Sequence, residues 1–429
     1  MRTSLCRLGI IAAIASCNGQ SDSGVVIFQD ASTILQLPES AERVESVPLE
    51  VRAGDTLRVE AVVGSIEATV GDEPSLKAVF SMKARTKEEA KGVLDTYKVK
   101  VERDGSRVLV TITGEPLVIA EKHLSMTTRP SCELTLRVPA GVTFEAKTTG
   151  AVSAEGAFAG CVIDTRYGAI RLSGIRGGAN AKTNNGDVTV SNLEAGGDAV
   201  QLESRYGDIS LSRAKCTTVK IDTNNGDVRC VDVETTSSRV RSRYGDLEFG
   251  NVTGPIDAGT SNGDIDLDAP GSAVRVLKTR YGKIRVRRSA GDLDVATNNG
   301  RIQVDAHHGA LRAHSFYGKL TLTGDFSGLD ALSRNGTVEV RAGSGSKVSS
   351  AWSIRSGHGD VALHIPSTFA CAFKATTKHG RIRVGVPFET QVPFDSGGDT
   401  RQVEGRIGSG GNSVSLETGN GDIRIEKGS

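Results

Sequence analysis

Aromatic side chains are scarce: 11 Phe, 6 Tyr and one Trp among 429 residues. A conventional globular core of that size would hold more, since aromatic rings bury the largest areas. Neither sign of charge dominates. The 52 Lys and Arg stand against 51 Asp and Glu, a formal net charge of +1. A nucleic-acid-binding protein would show a basic excess. Past residue 17 no apolar run reaches the roughly 18 residues needed to read as a membrane-crossing helix. Cysteines are too few and too irregular to staple a fold. Beyond residue 17 only Cys132, Cys161, Cys216, Cys230 and Cys371 remain. An odd number without paired short spacings is neither a disulfide framework nor a zinc site. Proline is ordinary at 11, and glycine does not recur at every third position, which excludes collagen.

Glycine is in excess, 51 residues or about 12% of the chain, against a usual ~7%. Together with abundant Val, Ile, Leu and Thr it points to strands joined by many turns. Self-similarity confirms this. The unit [Thr/Ser]-x-x-Gly-x-[Val/Ile/Leu]-x-[apolar] occurs thirteen times, its glycines running from Gly168 to Gly421. Most spacings are 18 to 21 residues; the last, from Gly380, is 41 and leaves room for one degenerate copy. Apolar pairs such as Ile209/Leu211 and Val228/Cys230 follow the glycine, an alternation that marks half-buried strands. Cys230 at such a position reads as a small buried apolar residue. The alternation changes parity at the glycine, so the chain must turn there. Glycine would supply unusual backbone angles, and the Thr/Ser hydroxyl can bond the turn.

One unit cannot close a core alone, but stacked copies can. The expected fold is all-β: a β-solenoid, or β-helix, with two facing sheets, repeats of about 18–20 residues and one short N-terminal helix. A meander of hairpins is the alternative, because Asn-Gly favours two-residue hairpin turns. The turn sequences alternate. Arg205-Tyr206-Gly207 is followed by Asn224-Asn225-Gly226, then Arg243-Tyr244-Gly245, Ser261-Asn262-Gly263, Arg280-Tyr281-Gly282 and Asn298-Asn299-Gly300. With one unit per turn, the favoured reading, each Tyr lies between two Asn and about 9.6 Å from the next Tyr. With two units per turn, separate Tyr and Asn ladders would form.

Residues 1–17 have a positive start (Arg2, Arg7), a short apolar stretch and small residues before Cys17, the anatomy of an export signal. Ile14-Ala15-Ser16-Cys17 resembles the lipobox of bacterial lipoproteins, which implies that Cys17 is lipidated and anchors the chain. Asn18 after it would direct a lipoprotein of a diderm bacterium to the outer membrane. Residues 18–45 read as a tether, 46–130 as an N-terminal β-rich module with one helix, and 131–429 as the solenoid. The helix announces itself by the capping box Thr86-Lys87-Glu88-Glu89 and an apolar stripe of Ala90, Val93, Leu94 and Tyr97. Val51 to Gly54 followed by Gly64 echoes Leu136 to Gly141 followed by Gly150.

The repeated Thr-x-x-Gly-Asp-Ile/Val units, the lead-in Leu134 to Gly141 and the ending Leu416 to Ile423 resemble the bacterial putative-adhesin family of surface β-helices, a domain of unknown function. The resemblance covers about residues 45–427. It implies an exported or membrane-attached solenoid with a structural or binding role at the cell envelope, on the outer membrane or cell surface. The second reading is an envelope-stress or signalling component that senses a ligand or partner.

Candidate sites follow from the columns. Tyr167, Tyr206, Tyr244, Tyr281 and Tyr317 could form an aromatic strip for sugars or peptides, or could merely cover the turns. Asp187, Asp208, Asp227, Asp246 and Asp264 would repel if stacked; a divalent cation or the neighbouring Arg166, Arg205, Arg243 and Arg280 would relieve that. His358 and His379 share a repeat position and could share a metal, though no third ligand stands at fixed spacing. An enzyme needs acid and base groups converging where the repeat breaks, and the insertions after Gly336 and Gly380 carry no such cluster. The expectation is therefore a non-enzyme without cofactor or metal. Its partners would be a membrane, through the anchor, and a cell-surface protein or glycan, but no nucleic acid.

Overall fold

The computed structural model describes residues 25–27, 34–61, 63–121, 124–271, 273–390 and 401–428. The residues read as an export signal, Cys17 among them, and residues 18–24 and 28–33 of the tether lie outside the described residues; residues 39–45 of the tether instead belong to strand Glu39–Pro48. The chain divides into two compact units, Met1–Gly156 with Ile163–Ala169, and Ala157–Val162 with Ile170–Ser429.

In the first unit, strand Ser75–Ala84 pairs antiparallel with Glu39–Pro48 on one side and with Ser131–Val138 on the other. Pairing then becomes parallel, from Ser131–Val138 to Gly64–Val70 and on to Val152–Glu155. A second layer runs from Lys98–Asp104 through Arg107–Thr113 and Thr56–Glu60 to Thr143–Thr148. The two echoing segments are thus neighbouring rungs, and the Gly54 amide donates to the Gly141 carbonyl at 3.0 Å. Helix Lys87–Thr96 lies against Glu39–Pro48 and Ser75–Ala84. Thr86 Oγ1 accepts the Glu89 amide at 3.1 Å, and the Glu89 carboxylate accepts that of Arg85 at 3.0 Å. Ala90, Leu94 and Tyr97 are buried beneath it.

The second unit is the solenoid; the stack comprises about 12 turns. Strand Ala179–Thr183 pairs parallel with Ala199–Ser204, which pairs with Thr218–Thr223 and then Ser237–Arg241. Strand Val188–Glu194 pairs likewise with Ile209–Lys215, Val228–Glu234 and Leu247–Thr253. Each strand meets its counterpart in the next unit, so one unit makes one turn, and parallel pairing removes the hairpin meander. The strands after the glycine bend at Asn192, Arg213, Asp232 and Asn251, whose φ values of 53, 49, 55 and 53° are left-handed. Beyond the bend Leu193, Ala214, Val233 and Val252 point inward again and are buried. Cys230 is 3% exposed, and burial pushes its thiol up to about 12. All five cysteines beyond residue 17 are buried and free.

The Thr/Ser of each unit links two rungs. Ser204 Oγ accepts the Gly207 amide at 2.9 Å and donates to the Gly186 carbonyl of the preceding rung at 2.9 Å. Thr223 does so for Gly226 and Gly207 (3.2 and 3.3 Å), Ser242 for Gly245 and Gly226 (2.9 and 3.1 Å), and Thr297 for Gly300 and Gly282 (3.1 and 3.0 Å). These hydroxyls are buried.

Two expectations need correction. The turn glycines do not have left-handed angles. They are glycine because rungs approach so closely: a Cβ on Gly226 would sit 1.9 Å from the Gly207 carbonyl oxygen, and one on Gly300 1.7 Å from that of Gly282. Among the described residues of the 41-residue gap no degenerate rung appears. Strand Arg401–Ile407 instead folds back antiparallel onto Cys371–His379. The last unit, Ser413–Asn420 and Ile423–Lys427, then inserts between earlier ones. It pairs with Trp352–Ser356 and Val361–Ile365 on one side and with Cys371–His379 and Ile382–Val384 on the other.

Arg275 and His307 place polar groups within the apolar core. Arg275, 1% exposed, occupies a position filled by Ile256 and Leu293 in the adjacent rungs. Its amino groups donate to Ala290 and Gly271 carbonyls at 2.9 and 2.7 Å. His307 is fully buried, with Nδ1 2.8 Å from Ser289 Oγ and Nε2 3.2 Å from the Ala310 carbonyl. Burial, reinforced by His308 and Arg275, brings its pKa down from 6.5 to about 4.

Thr223→Val keeps the shape but leaves a buried N–H and a buried C=O unpaired; it should cost about 2–5 kcal/mol, and Thr223→Ser well under ~1 kcal/mol. Denaturant unfolding of the two variants measures the difference. Because His307 titrates lower in the folded chain than in the unfolded one, its contribution is full above pH 6.5 and declines as pH falls towards 4. His307→Phe, whose ring would lie near that of Phe326 as the imidazole does at 6.2 Å, should flatten the dependence of the unfolding midpoint on pH across that window.

Candidate functional site

Stacking one unit per turn gathers the glycine turns along one edge of the second unit. Tyr206, Tyr244, Tyr281 and Tyr317 stand there with 52, 50, 57 and 60% of their surface exposed. Tyr167 of the first unit is similarly exposed. Every exposed large aromatic among the described residues belongs to this set. The backbone beneath is fixed by bonds between rungs. The amides of Tyr206, Tyr244, Tyr281 and Tyr317 donate to the carbonyls of Asn184, Asn224, Ser261 and Asn298 at 2.8–3.0 Å. The amides of Asn225, Asn262 and Asn299 donate in turn to Arg205, Arg243 and Arg280.

The aromatic column is discontinuous. Successive tyrosines are two rungs apart, about 9.6 Å at ~4.8 Å per rung, and no ring contact joins Tyr206, Tyr244 and Tyr281 among the described residues. Tyr167, Tyr206 and Tyr244 instead each have an arginine from their own turn over one face. The guanidinium-to-centroid distances are 5.3 Å for Arg166–Tyr167, 5.4 Å for Arg205–Tyr206 and 5.3 Å for Arg243–Tyr244, within cation–π range. Further along, Arg334 lies 4.6 Å over Phe316, whose ring is 4.6 Å from that of Tyr317.

The charges divide sharply between faces and edge. On the strands, basic residues meet carboxylates of a neighbouring rung: Arg229 with Glu248, Arg239 and Arg241 with Asp257, Arg287 with Asp266, and Arg288 with Asp268. Among the described residues, Arg166, Arg205, Arg243 and Arg280 of the turns pair with no carboxylate. Spacings of 16–21 residues between opposite charges on the faces, and Asn at the corresponding places beside the turn arginines, were the sequence signal for this; it was not read.

The Asp column is occupied by the fold. Asp187 Oδ1 accepts the amide of Asp208 at 3.0 Å, Asp208 that of Asp227 at 2.8 Å, Asp227 that of Asp246 at 2.8 Å, and Asp246 that of Asp264 at 2.7 Å. Asp264 ends the series on the Lys283 amide at 2.7 Å, with Lys283 Nζ 3.7 Å away. Backbone amides, not the turn arginines, therefore answer these carboxylates. Asp187, Asp208, Asp227 and Asp246 also border a groove of about 440 Å³ with Thr189, Ser210, Arg229 and Glu248. Among the described residues no three His, Cys, Asp or Glu groups converge as a metal site requires. His358 and His379 do not share a site on adjacent rungs, because the inserted unit places Asn420 between them: His379 aligns with Asn420, whose amide donates to Gly357. No helix among the described residues is long and apolar enough to cross a membrane.

Comparison with known proteins agrees with this architecture. Solved structures similar to the chain include three from bacteria. A putative cell adhesion protein from Clostridium sporogenes is 11% identical, covering 91% of this chain and all of that one, with a TM-score of 0.16. A putative adhesin from Bacteroides fragilis is 14% identical, covering 62% of this chain and 98% of that one, with a TM-score of 0.28. A putative lipid-binding protein from Parabacteroides distasonis is 9% identical, covering 89% and 96%, with a TM-score of 0.17. At these values the likenesses carry no argument. No curated protein sequence matches. The profile of the Toastrack DUF4097 domain matches residues 95–319, more than half of the chain, and the protein belongs to that family.

Proposed function

We propose that the protein is an exported, lipid-anchored β-solenoid that binds a cell-surface protein or glycan at the bacterial envelope, through the tyrosine-bearing turn edge, and catalyses no reaction. The observation that carries this reading is the combination of exposed tyrosines on a backbone locked between rungs with arginines that lack carboxylate partners. Large exposed aromatics and unpaired guanidinium groups mark contact surfaces, where Tyr and Arg are enriched. Such an edge is pre-organised, so little conformational freedom is lost on binding. A catalytic reading finds less support. The Ser289–His307 pair is buried, and His307 Nε2 faces the Ala310 carbonyl rather than a carboxylate, so it lacks both access and the orienting acid of a nucleophilic triad.

Three experiments test the reading. Cys17→Ala should move the protein from the membrane fraction to the soluble one or leave it unprocessed, seen by fractionation and N-terminal mass. Protease shaving of intact cells should digest the anchored protein; protection would favour a sensor inside the envelope instead. Replacing Tyr206, Tyr244 and Tyr281 together by Ala should shift the unfolding free energy by no more than about 0.5 kcal/mol per site, as expected for surface positions. The same change should abolish adhesion of beads carrying the detergent-solubilised protein to arrays of glycans and surface proteins. Full adhesion by this variant would remove the edge from the account.

A further inference from the structure

Granted that the turn edge is the binding surface, its spacing and chemistry restrict the ligand. We propose that the edge of the second unit recognises an extended linear glycan in which a carboxylated ring alternates with an uncharged one, laid across the rungs along the stacking direction.

Period is the first argument. Arg205-Tyr206, Arg243-Tyr244 and Arg280-Tyr281 recur every second rung, about 9.6 Å. That is close to the advance of two hexose rings in an extended chain. An extended peptide repeats its side-chain direction every two residues, about 6.8 Å, and falls out of step with the tyrosines after one contact. Nor can it add to the edge as a strand, because the turn amides already donate to carbonyls of the neighbouring rungs. A polyproline helix advances about 9.3 Å per turn, which nearly fits. It offers only carbonyl acceptors, however, and is normally held in grooves between aromatic rings, whereas these rings stand singly, two rungs apart.

The alternating chemistry is the second argument. At the Arg205-Tyr206 and Arg243-Tyr244 turns the arginine covers one face of the ring. The rest of the half-exposed ring is open to the C–H face of a sugar, while the guanidinium can still take a carboxylate in its plane. Next comes a turn of Asn224-Asn225, Ser261-Asn262 or Asn298-Asn299. Asn225, Asn262 and Asn299 are exposed, and among the described residues their amides make no side-chain hydrogen bond. Each amide offers donors and an acceptor, suited to hydroxyl and acetamido groups and indifferent to charge. One arginine per two rungs thus matches one acid per two rings, the Asp carboxylates of these turns each accepting an amide of the next rung. A polyanion charged on every ring would place alternate carboxylates over asparagines.

The test uses the full detergent-solubilised protein with three probes. They are hyaluronan oligosaccharides of 4 to 14 rings, chitin oligosaccharides of matching length without charge, and polygalacturonate with a carboxylate on every ring. Affinity for hyaluronan should rise with length up to about seven rings, the reach of Tyr206 to Tyr317 at ~4.8 Å per rung, and then level off. It should exceed that for chitin and, per carboxylate, that for polygalacturonate. Arg205→Ala, Arg243→Ala and Arg280→Ala should each weaken binding about tenfold, the usual worth of a charge-assisted bond, with unchanged unfolding midpoints. Equal binding of chitin, no dependence on length, indifference to the three arginines, or tighter binding of polyglutamate or an acidic proline-rich peptide would overturn the proposal. If bead adhesion requires the tyrosines while hyaluronan does not bind, the glycan assignment fails and the edge remains the binding surface. If adhesion survives the tyrosine variant, the surface itself is wrong.

Discussion

Each rung of the solenoid meets the next at a turn where two backbones come too close for any side chain, and one hydroxyl makes that approach tolerable. The Thr or Ser three residues before the glycine takes the glycine's own amide and gives its proton to the glycine carbonyl one rung back. A glycine carbonyl and a glycine amide would otherwise be buried without partners, a cost of about 1–3 kcal/mol each. The rest depends on this contact. It fixes the rung spacing at the turn, holds the two strand columns in register, and sets the parity that sends Val228 inward and Asp227 outward.

Because the turns are tied together in this way, the side chains at their tips occupy fixed intervals. The strands spend their charges on one another, which lowers the repulsion along each column and leaves a surface with little net field. The tips differ: their arginines lean on tyrosines, and asparagines separate them. The contrast reflects geometry. A residue in mid-strand has neighbours one rung above and below at similar height, so Arg229 can reach Glu248. Arg205 has Asn184 and Asn224 beside it and, among the described residues, pairs with no carboxylate.

The repeat, the buried alternation and the Thr/Ser-to-turn bond were legible because each is periodic, and thirteen copies cancel the noise of any one. The helix was legible from Thr86 and Glu89, which bond nearby amides. What escaped were features that periodicity does not encode. The glycines were given the wrong reason: a left-handed turn and a close approach both demand Gly, and only packing tells them apart. Arg275 and His307 escaped because a polar residue at one inward position reads as a surface residue. One unit per turn was favoured on the alternation of Tyr and Asn, but two units would have shown the same alternation. The exposure of the tyrosines was legible from their turn positions, whereas their separation followed only from the stacking.

The unit that closes the sequence of repeats wedges between two that precede it, with Gly421 resting on Gly359 and Gly380 resting on Gly421. This has an evolutionary corollary. A plain stack can lengthen by duplicating any unit, since each new copy makes the same neighbours as the old. Here a copy added after Trp352 would have to thread into a crossed arrangement already complete, so growth is confined to the units before it. Even there, the Tyr–Asn alternation survives only if units are gained or lost two at a time. Relatives that vary in length should therefore differ by pairs of units, inserted upstream of a constant crossed end.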